Sequence, residues 1–232
     1  MSDQLKDGLP LDHEVNPLLK KQAHWAPPSY LPTDSEVEKL GIRLDAVETD
    51  RDGNCLLHAV SLALWGGHDR TQVLRDLMVE VLNDNASRAP LEQVWREGTK
   101  AAAARGPTAY SLEEDQLEEE WTTLMEDART PGAYLSAFHV FVLANALRRP
   151  LIVYADRYLR GADGTQYAPS DMIGVYLPSM LPEGMCYKVP LMVGYTCLEV
   201  GNVGHFSALV GTEGRLHHVP LVDEHGTRLP VR

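Results

Sequence analysis

The sequence predicts an α+β fold, a central sheet packed between helical regions. Two observations carry this. Helical patterns fill residues 55–148, and from residue 151 onward the chain turns to short β-rich runs cut by Gly, Pro and Asp. Size agrees, since 232 residues fit one domain, or one domain with an arm, and can bury a sizeable core.

Residues 1–34 read as an arm, with a short helical patch at 15–23 followed by Trp25-Ala26-Pro27-Pro28 and Pro32. Prolines break helices and favour extended chain, so this stretch is expected to wrap over the body as a loop. A helical turn is expected at 34–40, stopped by Gly41, which sets residues 1–40 as an N-terminal arm on a domain of residues 41–232. A short strand at 42–47 leads into the turn Asp50-Arg51-Asp52-Gly53-Asn54. A strongly apolar helix at 55–65 follows, stopped by Gly66-Gly67. After Asp69, an amphipathic stripe of Val73, Leu74, Leu77, Met78, Val81 and Leu82 predicts a second helix. Residues 101–108 read as a frayed helix end and a loop. Ser111 and Glu114 have the spacing of a capping box, opening a helix through Asp127. The helix expected at 136–148 is apolar on most sides and therefore buried; Arg148-Arg149 suit its dipole and Pro150 ends it. Strands are expected at 151–155, 173–177, 191–195, 205–210 and 216–221.

Composition narrows the class. With 44% hydrophobic and 23% charged residues the chain has the make-up of an ordinary globular protein. No apolar run approaches the roughly 18–20 residues of a membrane span, and the first residues lack the basic-then-apolar build of a secretory signal. The net charge of −12 argues against nucleic acid, which needs a basic footprint, and suits a partner with a basic face. The three cysteines, at 55, 186 and 197, are too few and scattered for a disulfide framework. A reducing compartment, the cytoplasm or the nucleus, is expected. Cys186 and Cys197 lack the paired short spacing of a zinc site, and there is no P-loop or nucleophile-elbow serine, so no metal or cofactor is expected.

Cys55 stands just after Asp52-Gly53-Asn54 and opens an apolar helix. Free N–H groups and the helix dipole at that point favour a thiolate, so its pKa is expected below the free value of about 8.5. The same turn amides could face an oxyanion, with Gly53 removing side-chain obstruction. A buried structural cysteine is the competing reading, and on local sequence the two are evenly matched. Nine histidines compete as base. His13, His24, His68 and His225 lie in polar or loop-like contexts and are expected to be solvated. His139 falls inside the buried helix, where a satisfied core histidine is the commoner case. His217 and His218 are adjacent, so in a strand only one could face a site. His58, one turn after Cys55, is the local rival. His205 has the best setting, opening a strand after the glycine loop Gly201-Asn-Val-Gly204, although spacing alone does not decide.

Five ordered blocks bring a family into view: Asp52-Gly53-Asn54-Cys55-Leu-Leu-His58 with Trp65-Gly66 and His68-Asp69-Arg70; Phe138–Asn145; Leu147–Tyr154; Gly174–Pro178; and Gly204-His205-Phe-Ser-Ala-Leu-Val210. Together they resemble the ovarian tumour (OTU) deubiquitinases, and more narrowly the branch of Cezanne and TRABID. The resemblance implies a papain-like cysteine protease fold. It implies Cys55 as nucleophile on the ubiquitin C-terminal carbonyl, His205 as general base and then acid, and an oxyanion turn at Asp52, Gly53 and Asn54. Ubiquitin and polyubiquitin chains are the implied partners. The resemblance makes His58 a core position.

Many OTU enzymes place Asp or Asn two residues after the histidine, to orient it; here that residue is Ser207. By resemblance the candidate third member is Thr49, six residues before the cysteine, whose hydroxyl or main-chain carbonyl is expected to reach the Nδ1–H of His205. An acidic arm residue, Glu14 and then Asp12, is the alternative. A catalytically dead ubiquitin-binding module, or a cysteine protease for another ubiquitin-like modifier, remains a competing function; the presence of both Cys55 and His205 counts against the first.

Overall fold

The computed structural model describes Leu31 and residues 43–105, 111–160, 165–197, 204–213 and 219–232. The helical patch at 15–23 and the turn at 34–40 therefore lie outside the described residues, and of the arm only Leu31 is placed, buried in the core. The chain runs β1 (Arg43–Val47), α1 (Cys55–Trp65), α2 (Val73–Asn83), α3 (Asn85–Arg105), α4 (Glu114–Arg129) and α5 (Ala137–Ala146). It continues through β2 (Leu151–Ala155), β3 (Tyr158–Arg160), β4 (Gln166–Pro169), β5 (Gly174–Tyr176), a 3-10 turn (Glu183–Met185), β6 (Leu191–Thr196) and β7 (His205–Glu213).

Five strands form the main sheet in the order β1-β7-β6-β2-β5. Only β2 and β6 pair in parallel; the other neighbours are antiparallel. Strand alternation sorts side chains to two cores. Leu151, Val153, Val193, Phe206 and Ala208 pack with the helices. Ile152, Tyr154, Met192 and Leu209 pack on the other face with Leu31 and Leu229. This is why β2 is buried along its whole length.

The predicted helices form where their apolar residues need cover. In α1 nine of eleven residues are buried, and Gly66, at φ 76°, closes the helix in the left-handed conformation that glycine tolerates. The Asp69 carboxylate accepts from the Val73 and Leu74 amides at 2.8 and 2.9 Å, satisfying the start of α2. The α4 capping box is displaced from the expected pair: Glu113 caps, and its own amide donates to Gln116 Oε1 at 3.0 Å. Helix α3 runs through 101–105, where a frayed helix end was expected, and residues 106–108 of the expected loop lie outside the described residues. Pro90 and Gly98 argue against a helix locally, but Leu91 is buried and Trp95 stacks on Trp121 at 5.4 Å. Tertiary packing overrides propensity there. Strands β3 and β4 form a small antiparallel hairpin that the sequence pattern did not signal.

The expected strand at 216–221 is not seen: 214–218 lie outside the described residues, and 219–221 carry no strand. That segment is instead tied down by side chains. The Tyr154 hydroxyl donates to Pro220 O at 2.5 Å. Asp223, 1% exposed, accepts from the amides of His225 and Thr227 and from Arg157 Nε at 2.6 Å. Losing this carboxylate strands three donors, so Asp223→Ala should cost about 2–3 kcal/mol. Urea unfolding should show a lower midpoint at constant slope; a loss below about 0.5 kcal/mol would mean the C-terminal segment is held by apolar contact alone.

Candidate active site

Register brings two of the candidate residues together. Val47 of β1 pairs with Ala208 of β7, so two residues beyond on one strand faces two residues before on the other: Thr49 opposite Phe206. Thr49, 6% exposed, donates its hydroxyl proton to Phe206 O at 2.5 Å. The same Oγ1 lies 3.1 Å from His205 Nε2. A hydroxyl has one proton. With that proton committed to a main-chain carbonyl, Oγ1 accepts from the ring, so Nε2 carries the hydrogen and Nδ1 keeps its lone pair. This corrects the expected contact, which was through Nδ1–H. Burial lowers the His205 pKa first, and the nearby Arg51 guanidinium lowers it further; Glu48 and the Thr49 main chain oppose this without reversing it. Burial and Arg51 thus favour the neutral ring.

Cys55 is the first residue of α1, which packs on β6 and β7, and it is 4% exposed. The amides of Phe206, Leu56 and Cys55 itself face the sulfur, and the first of these sets it beside the residue that follows His205. The expectation of a lowered thiol pKa does not hold. Burial pushes the Cys55 thiol up, the three amides pull it part of the way back, and the Asp52 carboxylate raises it again. Desolvation of a thiolate outweighs the helix N-terminus here.

The turn between β1 and α1 is braced from both ends. Gly53, at φ 81°, has its missing Cβ where the Gly132 carbonyl lies. Asn54 donates its amide to Asp52 Oδ1 at 2.9 Å, so this amide, expected to face an oxyanion, is already engaged. Asp52 Oδ2 is 3.1 Å from His58 Nε2. Burial alone would raise the Asp52 pKa, but the Asn54 and His58 hydrogen bonds bring it down to about 2. His58, the local rival as base, is thus turned to a carboxylate rather than to the sulfur. His68 is not solvated as expected: it lies 4.9 Å from the His58 ring and 3.5 Å from Asp50, which also pairs with Arg70 at 2.8 Å.

His139 is the satisfied core histidine expected: Nδ1 accepts from the Ser136 amide at 2.9 Å, Nε2 donates to Leu124 O at 3.0 Å, and burial pushes its pKa down to about 4. Asp12, Glu14, His13, His24, His217 and His218 lie outside the described residues. Sequence reasoning missed Arg75 and Gly132, both of which hold the Asn54 side chain. Arg75 Nη2 donates to Asn54 Oδ1 at 2.9 Å and the Gly132 amide does so at 3.1 Å. Helical periodicity treats a charged residue as solvent-facing, so it gave no signal for Arg75. Gly53→Ala should unfold this brace, combining strained φ with overlap on Gly132, at a cost of roughly 3 kcal/mol or more. Thermal denaturation checks it; Gly67→Ala, where an added Cβ meets open space, should cost far less.

The family model for OTU-like cysteine proteases matches residues 50–198, more than half of the chain. A ubiquitin thioesterase, trabid of Drosophila melanogaster, is 33% identical over 213 residues, covering 92% of this chain and 25% of the relative. The chain thus spans about a quarter of that relative's length. Among solved structures, the viral OTU domain protease of Farallon virus is 12% identical with a TM-score of 0.41, covering 81% of this chain and 95% of its own. The OTU domain of OTUD1 is 16% identical at a TM-score of 0.41, covering 76% and 91%. With a family model matching residues 50–198, which span the cysteine turn and three of the five strands of the main sheet, the chain belongs to the OTU-like cysteine protease family.

Proposed function

We propose that this chain is a cysteine-dependent deubiquitinase that hydrolyses isopeptide bonds at the C-terminus of ubiquitin, in polyubiquitin chains. The observation that carries the reading is the Thr49–His205 contact, which leaves the Nδ1 lone pair uncommitted on the residue just before Phe206, whose amide faces the buried Cys55 sulfur. The similarity to a ubiquitin thioesterase supports the choice of modifier. The cysteines at 55, 186 and 197, which form no disulfide, suit the reducing cytoplasm or nucleus.

In this reading Cys55 is the nucleophile and His205 the base. Both rest neutral, so the proton moves as the bond forms. Nδ1 of His205 takes the thiol proton while sulfur attacks the ubiquitin C-terminal carbonyl. The imidazolium that results keeps its Nε2–H on Thr49 and gives the Nδ1 proton to the departing lysine amine. Water, deprotonated in turn by His205, then cleaves the thioester and restores the thiol. The Cys55 amide and the Asp52-Gly53-Asn54 turn would face the oxyanion, with the Asn54 amide serving by holding Asp52 rather than by donating. Glu14 stays the alternative third member, to be tested by mutation.

The direct test is reaction of the chain with ubiquitin carrying a C-terminal electrophile, followed by peptide mapping. An adduct on Cys55, with no turnover by Cys55→Ala, supports the reading. An adduct on Cys186 or Cys197, or efficient reaction only with another ubiquitin-like modifier, contradicts it. Thr49→Val should lower kcat/KM about tenfold, near 1.4 kcal/mol of transition-state stabilisation, while Thr49→Ser stays close to wild type. If Glu14→Gln costs more than Thr49→Val, the arm carboxylate is the orienting group.

A pH prediction follows from the charges around His205. Because its pKa is lowered, the acid limb of kcat/KM should lie below the ordinary imidazole value of about 6.5. Arg51→Ala removes a cation that disfavours the protonated ring, so the limb should move to higher pH. Glu48→Gln should move it the other way. Both side chains are exposed, so added salt should shrink the two shifts. A limb unmoved by either substitution would remove these charges from the account.

A further inference from the structure

We infer that Arg75 is a positioning residue for the reaction, acting through the side chain of Asn54; this rests on the hydrolase reading above. Arg75 is 2% exposed, on a helix whose other fully buried residues are Leu74, Met78 and Leu82. Its hydrogen bonds all go to oxygens without formal charge, while the Asp69, Asp127 and Asp52 carboxylates attract it through space. Nη1 donates to the main-chain carbonyls of Asp127 at 2.8 Å and Ala128 at 3.2 Å. Nη2 donates to Asn54 Oδ1 at 2.9 Å and to the Ala133 carbonyl at 3.3 Å. Burying a cation against neutral acceptors is a poor route to stability compared with an apolar residue of the same volume. What the arrangement does provide is a rigid planar fork joining three pieces of chain: the end of α4, the loop at 130–133, and the residue immediately before Cys55.

The second hold on Asn54 comes from that same loop. The Gly132 amide donates to Asn54 Oδ1, and the Gly132 carbonyl fills the space beside Gly53. Arg75 fixes the loop through Ala133 O and fixes Asn54 directly, so the loop and the turn cannot shift independently. The Asn54 side chain takes no part in capping α1, although it occupies the N-cap position. Its two partners instead lock the peptide leading into Cys55, and with it the amides of Cys55 and Leu56 that face the sulfur. These are the donors that must already point at the reacting carbonyl when negative charge develops. Arg75 touches neither substrate nor sulfur in this account; it sets where those amides point.

The test uses the full chain with Arg75→Met, Arg75→Lys, Asn54→Ala and the double variant Arg75→Met/Asn54→Ala. Active sites are counted by the ubiquitin electrophile, and amide exchange at residues 53–56 is followed by mass spectrometry. Arg75→Met and Asn54→Ala should each lower kcat per titrated site about tenfold or more, with KM within about twofold. The double variant should be no worse than the poorer single one, because both break one linkage. Arg75→Lys, which keeps the charge but cannot span the acceptors, should resemble Arg75→Met. Exchange at 53–56 should accelerate in every variant while the interior of α1 stays protected. If Arg75→Met does not fold, Asn54→Ala carries the same readouts with Arg75 intact. Additive losses, unchanged kcat per site, or unchanged exchange at 53–56 would each overturn the proposal. Should the wild type neither label nor turn over ubiquitin, the deubiquitinase reading fails, and exchange alone decides whether Arg75 holds the turn.

Discussion

The single proton of the Thr49 hydroxyl orders this site. Given to the Phe206 carbonyl at 2.5 Å, it leaves Oγ1 able only to accept, and the acceptor faces His205 Nε2 at 3.1 Å. That choice settles which ring nitrogen holds hydrogen and which is bare. It also continues the β1–β7 ladder by one side chain beyond the last paired residue, so the sheet register and the tautomer are parts of one arrangement. A carboxylate in the same place would steady an imidazolium more strongly; a neutral hydroxyl orients the ring without charging it.

The electrostatics agree with a site that rests uncharged. Burial raises the thiol and lowers the imidazole, so each disfavours its ionised form. Among the described residues, the charge that acts on the sulfur is Asp52, held ionised by Asn54 and His58, and it acts against a resting thiolate. Its role is mechanical, pinning the turn through Asn54 N–H and through His58. The helix N-terminus, which in isolation argues for a thiolate, contributes amides that are more useful to an oxyanion than to the sulfur. In the proposed reaction, charge develops only with the carbonyl in place.

Most of the architecture was legible in the sequence because it rests on burial. Helix α1 with its glycine stop and strand β2 were read to the residue, and α5 within two, since each is apolar enough to need cover on several sides. Helix α3 was not, because its signal is one buried leucine and a tryptophan whose partner, Trp121, is 26 residues further along. The α4 cap slipped by two residues, from Ser111 to Glu113, whose amide is taken by the Gln116 side chain. In the site, Cys55, His205 and Thr49 became candidates only through the family resemblance, and neither the ring atom, set by the Thr49 hydrogen bonds, nor the direction of the thiol's pKa, set by desolvation, was legible. Arg75 was invisible: nothing local marks a cation whose partners lie 21 to 58 residues away.

The claim on which the rest depends is the tautomer of His205. Nitrogen-15 NMR of the imidazoles in the full chain, with His205→Ala to assign the signals, reads it directly. The account predicts a neutral ring near pH 7.5 with hydrogen on Nε2 and a bare Nδ1, a preference lost in Thr49→Val. A ring protonated on Nδ1, or a doubly protonated ring at that pH, would contradict it.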